Sequence, residues 1–527
     1  MEQAAVELHE AALRRAYALV EAAQGSDVIA EIKAFEAQAR DLGWDDVRCL
    51  LQFAWSLALR EAGLDDGEHL QAMLDCAAAQ GDQALLALAL AASALRRADA
   101  RQVLAPGDSG ANPLVRAVAL LDDAASLAVH RAAAQIDVAG TFHTLGLWEL
   151  AMEHNDLAEA AIDAEETDVW AEVVRRQRIV LAGNRIEATL DWACALAEVD
   201  EWASAESVAR GMGAHALSLI DDQWPECWVA EIHGAAHLLA ALAGESSAAD
   251  LTLVAASSDP RSQSALAVAA FADAVRAARA GQRDRAAALA AACTGRIGPL
   301  APQHVRLLAM NLAAHRSDES GPALAYAREL AGLRWNTRLD RLASMRVSID
   351  TERRRLEHEQ LKRQALVDDL TGLANRRAYN GYLEALRRGA DGSDPQGQPT
   401  DVAVMMLDVD LFKGINDTFG HDIGDQVLRR IGAVLATQVR TTDLAARLGG
   451  DEFVVVLSDA PAGLPEARAQ QILEAIRDQD WDELTPGLTV SVSLGLRRGH
   501  AGHLTELVSE ADRHLYTAKR GGRGRVA

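Results

Sequence analysis

From Met1 to about residue 330 the chain consists of Ala- and Leu-rich stretches of helical periodicity separated by short turn signals. Turn-forming residues recur at Gly43, Gly81, Asn155, Asp200, Gly244, Gly281 and Asp318. The intervals 43–81, 244–281 and 281–318 are 38, 37 and 37 residues, and 155–200 and 200–244 are 45 and 44. Periods of about 34–47 residues mark stacked helical hairpins, units that bury their apolar faces only against their neighbours. The clearest unit is AVRAARAGQRDRAAALAAAC (274–293): small residues allow close helix approach, and Gly281 supplies the stop between two helices. The interval 81–155 breaks the period, and APGDSGANP (105–113) within it reads as an exposed loop. Only 4 % of residues are aromatic, which suits close-packed helices better than β-sandwiches.

This part of the chain resembles a degenerate tetratricopeptide array, which implies an α-solenoid over residues 1–330 with a concave surface for a protein or peptide partner. A purely structural, dimerising array is the alternative. The formal charge of −25 disfavours nucleic acid as a partner. That charge is uneven: 34 basic and 53 acidic residues precede Leu366, against 18 and 24 from there on, so an anionic ligand belongs at the C-terminal end. The start, Met1-Glu2-Gln3, has no basic signal-peptide region, and the longest apolar run, Ala84 to Leu95, falls short of the ~20 residues of a membrane span. Five scattered cysteines, never in C-x-x-C, read as reduced core thiols. A cytoplasmic protein without a membrane is expected.

Residues 331–367 change character. Trp335, Leu342, Ile349 and Leu356 lie seven apart, with Leu339 as the alternate position, amid charges such as TERRRLEHEQLKRQ. The pattern predicts a signalling helix or parallel coiled coil. Arg346, Arg353 and Arg363 fall on its seam and predict a weak pairing able to shift; a single solvated linker helix is the alternative.

Residues 368–527 alternate strand and helix patterns and predict an α/β (α+β) domain. Val402–Leu407 is a continuous apolar run that ends in Asp408-Val409-Asp410, and Phe453–Leu457 and Leu488–Leu496 are further strands. GADGSDPQGQPT (389–400) reads as a loop. A carboxylate at the end of a buried strand needs compensation. Gly449-Gly450-Asp451-Glu452 predicts a tight hairpin whose acids sit beside Asp408. Two strand-end carboxylates are what a hard divalent ion shared with substrate phosphates requires, whereas a capped hairpin with solvated acids is the bland reading.

Four ordered motifs then narrow the choice. DLTGLANRR (369–377), DVDLFKGINDTFGHDIGDQVL (408–428), RLGGDEF (447–453) and YTAKRGGRGR (516–525) together resemble the GGDEF family of diguanylate cyclases. The resemblance implies a palm-like nucleotide cyclase domain, a nucleotidyltransferase that condenses two GTP into cyclic di-GMP with release of two pyrophosphates, as a homodimer with one GTP per domain. It implies Mg²⁺, or Mn²⁺ in its place, on Asp408, Asp451 and the Val409 carbonyl, with Glu452 beside the metals and the attacking 3′-hydroxyl. Lys413, Lys519 and Arg523 match phosphate contacts, and the backbone of Leu411 and Phe412 a phosphate cradle. Asn416 and Asp425 match readers of the guanine edge. Arg440 and Asp443 match an R-x-x-D site at which the product inhibits. Asp410 and Asp417 read as local hydrogen-bonding residues rather than ligands. The family's usual Asn after Arg523 is Gly524 here. A catalytically dead cyclic di-GMP or GTP sensor, and a scaffold with secondary cyclase activity, are the rival functions.

Overall fold

The computed structural model describes residues 2–23, 28–99, 112–122, 125–165, 167–221, 224, 226–256, 260–298, 301–315, 322–390, 401–440, 442–459, 461 and 463–527. Most of the 105–113 segment, most of 389–400, and Asp318 lie outside them, as do the side chains of Cys227 and Arg363. The chain divides into two compact units, Met1–Arg355 and Leu356–Ala527.

The first unit is helical. Its helices are α1 (Glu2–Ala22), α2 (Ile29–Leu42), α3 (Asp45–Glu61), α4 (Gly67–Gln80), α5 (Gln83–Asp99), α6 (Pro113–Leu121), α7 (Ala128–Thr144) and α8 (Trp148–Asp163). There follow α9 (Ala171–Glu198), α10 (Trp202–Ala209), α11 (Met212–Ser218), α12 (Glu226–Ala243), α13 (Leu251–Ala256), α14 (Pro260–Arg279), α15 (Arg283–Thr294) and α16 (Gln303–Ala314). Neighbours in sequence are mostly neighbours in space: α3 packs on α4, α7 on α8, α14 on α15 and α15 on α16. Left-handed residues at Gly43, Gly81, Asp200, Gly244 and Gly281 end helices where the sequence predicts turns. Asn155 does not. It is buried within α8, and the real turn is Gly146, at φ 72°, between α7 and α8. The 45-residue interval drawn from Asn155 therefore has no structural counterpart.

The last helix of this part, α17 (Pro322–Gln364), runs 43 residues and crosses the division. Within the first unit its buried or half-buried residues include Ala331, Trp335, Arg338, Leu342, Met345, Ile349 and Glu352, a set spaced alternately four and three apart. That is a heptad seam, and the array occupies it: Arg338 is held by both oxygens of Glu149 at 2.7 and 2.9 Å, and Trp335 stacks with Trp148. The alternate positions are Arg338, Met345 and Glu352, whereas Leu339 is exposed. Arg346 and Arg353 flank the seam and pair with Glu153 and Asp122 of the array.

The second unit is a five-stranded mixed sheet with helices on both faces. Its elements are β1 (Ala374–Asn375), α18 (Arg376–Ala390), β2 (Asp401–Val409), α19 (Phe412–Phe419), α20 (His421–Thr437), β3 (Leu444–Gly449), β4 (Glu452–Leu457), α21 (Leu464–Arg477), β5 (Val492–His500) and α22 (Leu504–Arg520). The strand order is β1-β3-β4-β2-β5, with β1 and β3 parallel and the other pairs antiparallel. The run Val402–Leu407 is apolar throughout because both faces of β2 are covered. Ala403, Met405, Leu407 and Val409 meet α20 and α21; Val402, Val404 and Met406 meet α18 and α22. Asp408 continues the second set, so it points to the α22 side.

Candidate active site

Three acids gather where β2 ends and β4 begins. Asp408 pairs with Glu452 in the β2–β4 register and with Ser493 of β5. The connection from β3 to β4 is a two-glycine turn with Gly449 at φ 141° and Gly450 at φ 58°, conformations costly for a side-chain-bearing residue. This turn carries Asp451, and the Val409 N–H donates to the Asp451 carbonyl at 3.2 Å, closing the hairpin tip onto the end of β2.

Two further side chains fix the turn. The Arg447 guanidinium donates to the Gly450 carbonyl at 2.8 and 3.0 Å and to Asp368 at 3.1 Å. Asp368 also accepts from the N–H and hydroxyl of Thr371. Burial works to raise the Asp368 pKa, but these bonds from Thr371 and Arg447 outweigh it and lower the pKa. The sequence pattern does not single out this pair. Arg447 stands in the quoted RLGGDEF motif, but its partner lies 79 residues away.

Lys519 compensates Asp408. Its Nζ lies 2.6 Å from Asp408 Oδ2. The placement follows from packing: α22 crosses β5 at Gly495, where a Cβ would stand 2.1 Å from the Ala511 carbonyl oxygen and from the Leu515 nitrogen. Lys519 follows one turn beyond the buried Leu515. Burial is the chief cause that raises the Asp408 pKa; the Lys519 hydrogen bond opposes it, and the Asp451 and Asp410 charges add to it. The pocket therefore carries more negative charge than one lysine neutralises.

Asp410 adds to that charge but is tied down by hydrogen bonds of its own. It is buried, its two oxygens accept from Ser493 Oγ at 2.6 Å and Ser491 Oγ at 2.7 Å, and it takes the Gly524 N–H at 3.0 Å. Asp410 thereby ties the end of β2 to β5 and to the C-terminal turn, the local hydrogen-bonding role expected of it. Gly524, at φ 57°, supplies a backbone donor there.

Beyond β2, Leu411 adopts φ 55° and turns the chain into α19, leaving Leu411 and Lys413 exposed and Phe412 half-buried. Asn416, on α19, rests against Gly424 of α20 so closely that a Cβ there would meet Asn416 Oδ1 at 1.9 Å. That oxygen is buried and has no partner among the described residues. Asp425, half-buried, is the next residue on α20.

Other residues do not join this cluster. Helix α22 ends at Arg520, so Arg523 lies in the following turn at φ 61°, exposed, and does not share a helix face with Lys519. Arg440 and Asp443 precede β3, whose six residues separate them from the glycine turn by ~20 Å. Asp443 Oδ2 accepts the Arg440 N–H at 3.0 Å and Oδ1 the Ser458 N–H at 3.1 Å. The Arg440 side chain is exposed. Among the described residues no three His, Cys, Asp or Glu side chains form a preassembled metal cluster, and no helix is long and apolar enough to cross a membrane.

Residues 365–525 match the family described as "Diguanylate cyclase, GGDEF domain". This C-terminal unit is a GGDEF domain. The response regulator PleD of Caulobacter vibrioides is 40 % identical over 171 residues, covering 31 % of this chain and 36 % of PleD. The diguanylate cyclase TpbB of Pseudomonas aeruginosa is 39 % identical over 195 residues, 36 % of this chain and 42 % of TpbB. The chain thus spans about two fifths of the length of these curated relatives. The solved coiled coil and GGDEF domain of DgcB from Caulobacter crescentus, in complex with c-di-GMP, is 33 % identical, with a TM-score of 0.30, covering 36 % of this chain and 97 % of that one. Neither match, at 171 and 195 residues, is long enough to take in both units of the chain.

Proposed function

We propose that the protein is a diguanylate cyclase that joins two GTP into cyclic di-GMP and releases two pyrophosphates. The observation that carries this reading is the intact strand-end group: Asp408 at the end of β2 opposite Glu452, Asp451 in the adjoining β3–β4 turn, and Lys519 2.6 Å from Asp408. In each half-reaction a 3′-hydroxyl oxygen bonds to the α-phosphorus of the other nucleotide, the α–β bridging bond breaks, pyrophosphate leaves and the hydroxyl proton passes to a base. Two such attacks need two facing sites, hence a homodimer.

The excess negative charge around Asp408 fits a divalent cation, and the donors available, two carboxylates and the Val409 carbonyl, are the hard oxygens that Mg²⁺ or Mn²⁺ takes together with substrate phosphates. When bound, such an ion supplies charge neutralisation at the reacting phosphate. Lys413, Lys519 and Arg523 contribute ammonium and guanidinium donors to the triphosphate, and the backbone at Leu411 and Phe412 contributes N–H groups. The unpartnered Asn416 Oδ1 and the Asp425 carboxylate are acceptors suited to the guanine N1–H and N2–H₂ donors, a pair that adenine lacks. Arg440 offers its exposed fork to product phosphate or guanine, and Asp443, already accepting two backbone N–H groups, shapes that site and keeps lone pairs for the ligand. The helical unit reads as a tetratricopeptide-like array with a protein or peptide partner, setting through α17 how two GGDEF domains meet.

Full-length protein given GTP and Mg²⁺ is expected to form cyclic di-GMP, read by chromatography. Asp408→Ala or Asp451→Ala should lower turnover about a thousandfold or more without lowering the melting temperature, since each removes charge at the reacting phosphate rather than core packing. Wild-type protein that binds GTP yet yields no product at any concentration would establish the sensor reading instead.

A further inference from the structure

Between α17 and the array lies a cavity of about 630 Å³. Its floor is aromatic. Trp148, 1 % exposed, stacks with Trp335 at 6.4 Å and 24°, and meets His304 edge-on at 4.9 Å. The Arg338 guanidinium lies against both indoles, 4.9 Å from the Trp148 ring and 4.1 Å from the Trp335 ring.

The polar atoms here share one property. Trp148 Nε1, Arg338 Nε and His304 Nδ1 are buried and have no hydrogen-bond partner among the described residues. The nearest acid to His304 Nδ1 is Glu198, at 3.9 Å and so beyond hydrogen-bond reach. The first two atoms are donors only, and His304 Nδ1 donates in its Nδ1–H tautomer. Arg338 spends its two terminal nitrogens on Glu149, which leaves Nε as a spare donor. Three unmatched donors in one aromatic cluster call for an acceptor from outside, since a buried donor left unpaired is destabilising. The charge agrees. Arg334, Arg338 and Arg341 line the cavity, Glu149 holds Arg338, and Glu198 is held by Arg334 at 3.3 Å. Three arginines thus face two glutamates. The rest of the lining is largely aliphatic, with Leu145, Val199, Leu330 and Met345 among it.

We propose that this cavity is a binding site for a small organic carboxylate with an apolar body. Its carboxylate accepts from Trp148 Nε1, Arg338 Nε and His304, and its body lies against Trp335 and the aliphatic wall. The volume is that of a site for one drug-sized molecule. Trp335, Arg338 and Arg341 come from α17 and Trp148 and His304 from the array, so the ligand bridges the two and strengthens the hold of the array on α17. Binding itself does not depend on the cyclase reading; only its effect on turnover does.

The test is calorimetry on the full-length protein with phenylacetate and decanoate, representing aromatic and aliphatic acids, beside phenylacetamide and inorganic phosphate. At least one carboxylate should saturate one site per chain. Phenylacetamide, without the charge, and phosphate, without the apolar body, should each bind about tenfold more weakly or not at all. Trp148→Phe, which keeps a ring and removes the N–H, should weaken the carboxylate about tenfold; should that variant fail to fold, His304→Phe serves, with the same expectation. Saturation by neither carboxylate, equal binding of the amide, equal binding of phosphate, or full affinity in the folded variant would each overturn the proposal.

Discussion

Two long helices, α22 and α17, are fastened in opposite ways. Helix α22 touches β5 backbone to backbone at Gly495, and its Lys519 ammonium is set 2.6 Å from a buried carboxylate. Helix α17 meets the array through long side chains: Arg338 to Glu149, Arg334 to Glu198, Arg346 to Glu153 and Arg353 to Asp122, with a cavity left beneath. Close packing fixes a position to a fraction of an ångström and tolerates no sliding. The exposed pairs among these, Arg346–Glu153 and Arg353–Asp122, hold a helix on flexible stems yet release it at small cost. The first arrangement suits chemistry, the second suits a part that must move.

The contrast can be broken hardest at Arg338, a deeply buried arginine of α17. Arg338 is 5 % exposed, so Glu149→Gln would leave a buried guanidinium with a neutral partner. Breaking a buried pair from one side costs about 3–5 kcal/mol, and the two indoles recover part of it. The helical unit should lose about 3 kcal/mol in denaturant unfolding, while the GGDEF domain, followed by its own probe, keeps its midpoint. An unchanged helical transition would mean that Arg338 is not effectively buried. On the other helix, Gly495→Ala drives a Cβ into two backbone atoms of α22 that have no room to move. Overpacking of this kind costs about 1–3 kcal/mol. Because the displaced helix carries Lys519, turnover should fall further than stability does. Loss of stability with full turnover would separate α22 packing from the lysine.

How much of this was legible in the sequence follows the same division. The acids at the strand ends could be read because a strand covered on both faces announces itself as an unbroken apolar run, and its end marks where polar residues begin. Asp410 was legible as a local residue, although its partners Ser491, Ser493 and Gly524 are more than 80 residues away. The R-x-x-D string picked out Arg440 and Asp443 but not the hydrogen bonds of Asp443, since Ser458, one of its donors, lies beyond β4. In the helical unit, turn propensity misplaced Asn155, which tertiary burial holds inside α8. The seam of α17 was half legible. Its Trp, Leu and Ile positions stand out, but Arg338 and Glu352 do not, because a charged residue belongs to no apolar pattern. Arg338 is buried because it faces Glu149 and Trp148 of the array rather than a second copy of the helix. Glu352 is buried against its own helix's Arg355, which donates to it at 2.6 Å.

A smaller effect comes from the turn between α4 and α5. Asp82 accepts from Ser126 Oγ at 2.6 Å, from the N–H groups of Ala84 and Leu85, and meets His130 at 3.1 Å. Burial would raise its pKa, but the bonds from His130, Ser126 and Leu85 outweigh it and lower it to about 2. A carboxylate depressed in the folded state stabilises above its unfolded pKa, and that stabilisation is lost as pH falls through the folded value. Solvent screens part of the gain, since Asp82 is only partly buried. Wild type should therefore exceed Asp82→Asn by about 1–2 kcal/mol near neutral pH, with the gap closing between about pH 4 and pH 2. A gap independent of pH in that window would assign Asp82 a shape role rather than a charge role.

The smallest change in stability tests the functional half of the contrast. Arg346 and Arg353 sit at partly exposed positions, and their partners Glu153 and Asp122 belong to the array. Replacing the partners leaves the sequence of α17 untouched, so any change in pairing between two chains comes from release and not from a better seam. Each exposed pair is worth about 0–1 kcal/mol. Asp122→Ala with Glu153→Ala should then barely move the melting temperature, yet shift the balance between held and released α17 by up to about tenfold. Once released, Trp335, Leu342, Met345 and Ile349 are free to form a seam with a second chain. On the proposed cyclase reading, the double variant should dimerise at lower concentration and reach half-maximal turnover per chain there too. Sedimentation and turnover measured across one dilution series decide it. Identical curves for wild type and variant would show that the array does not restrain α17 through these pairs; dimerisation that rises without turnover would show that it restrains the helix but not the cyclase.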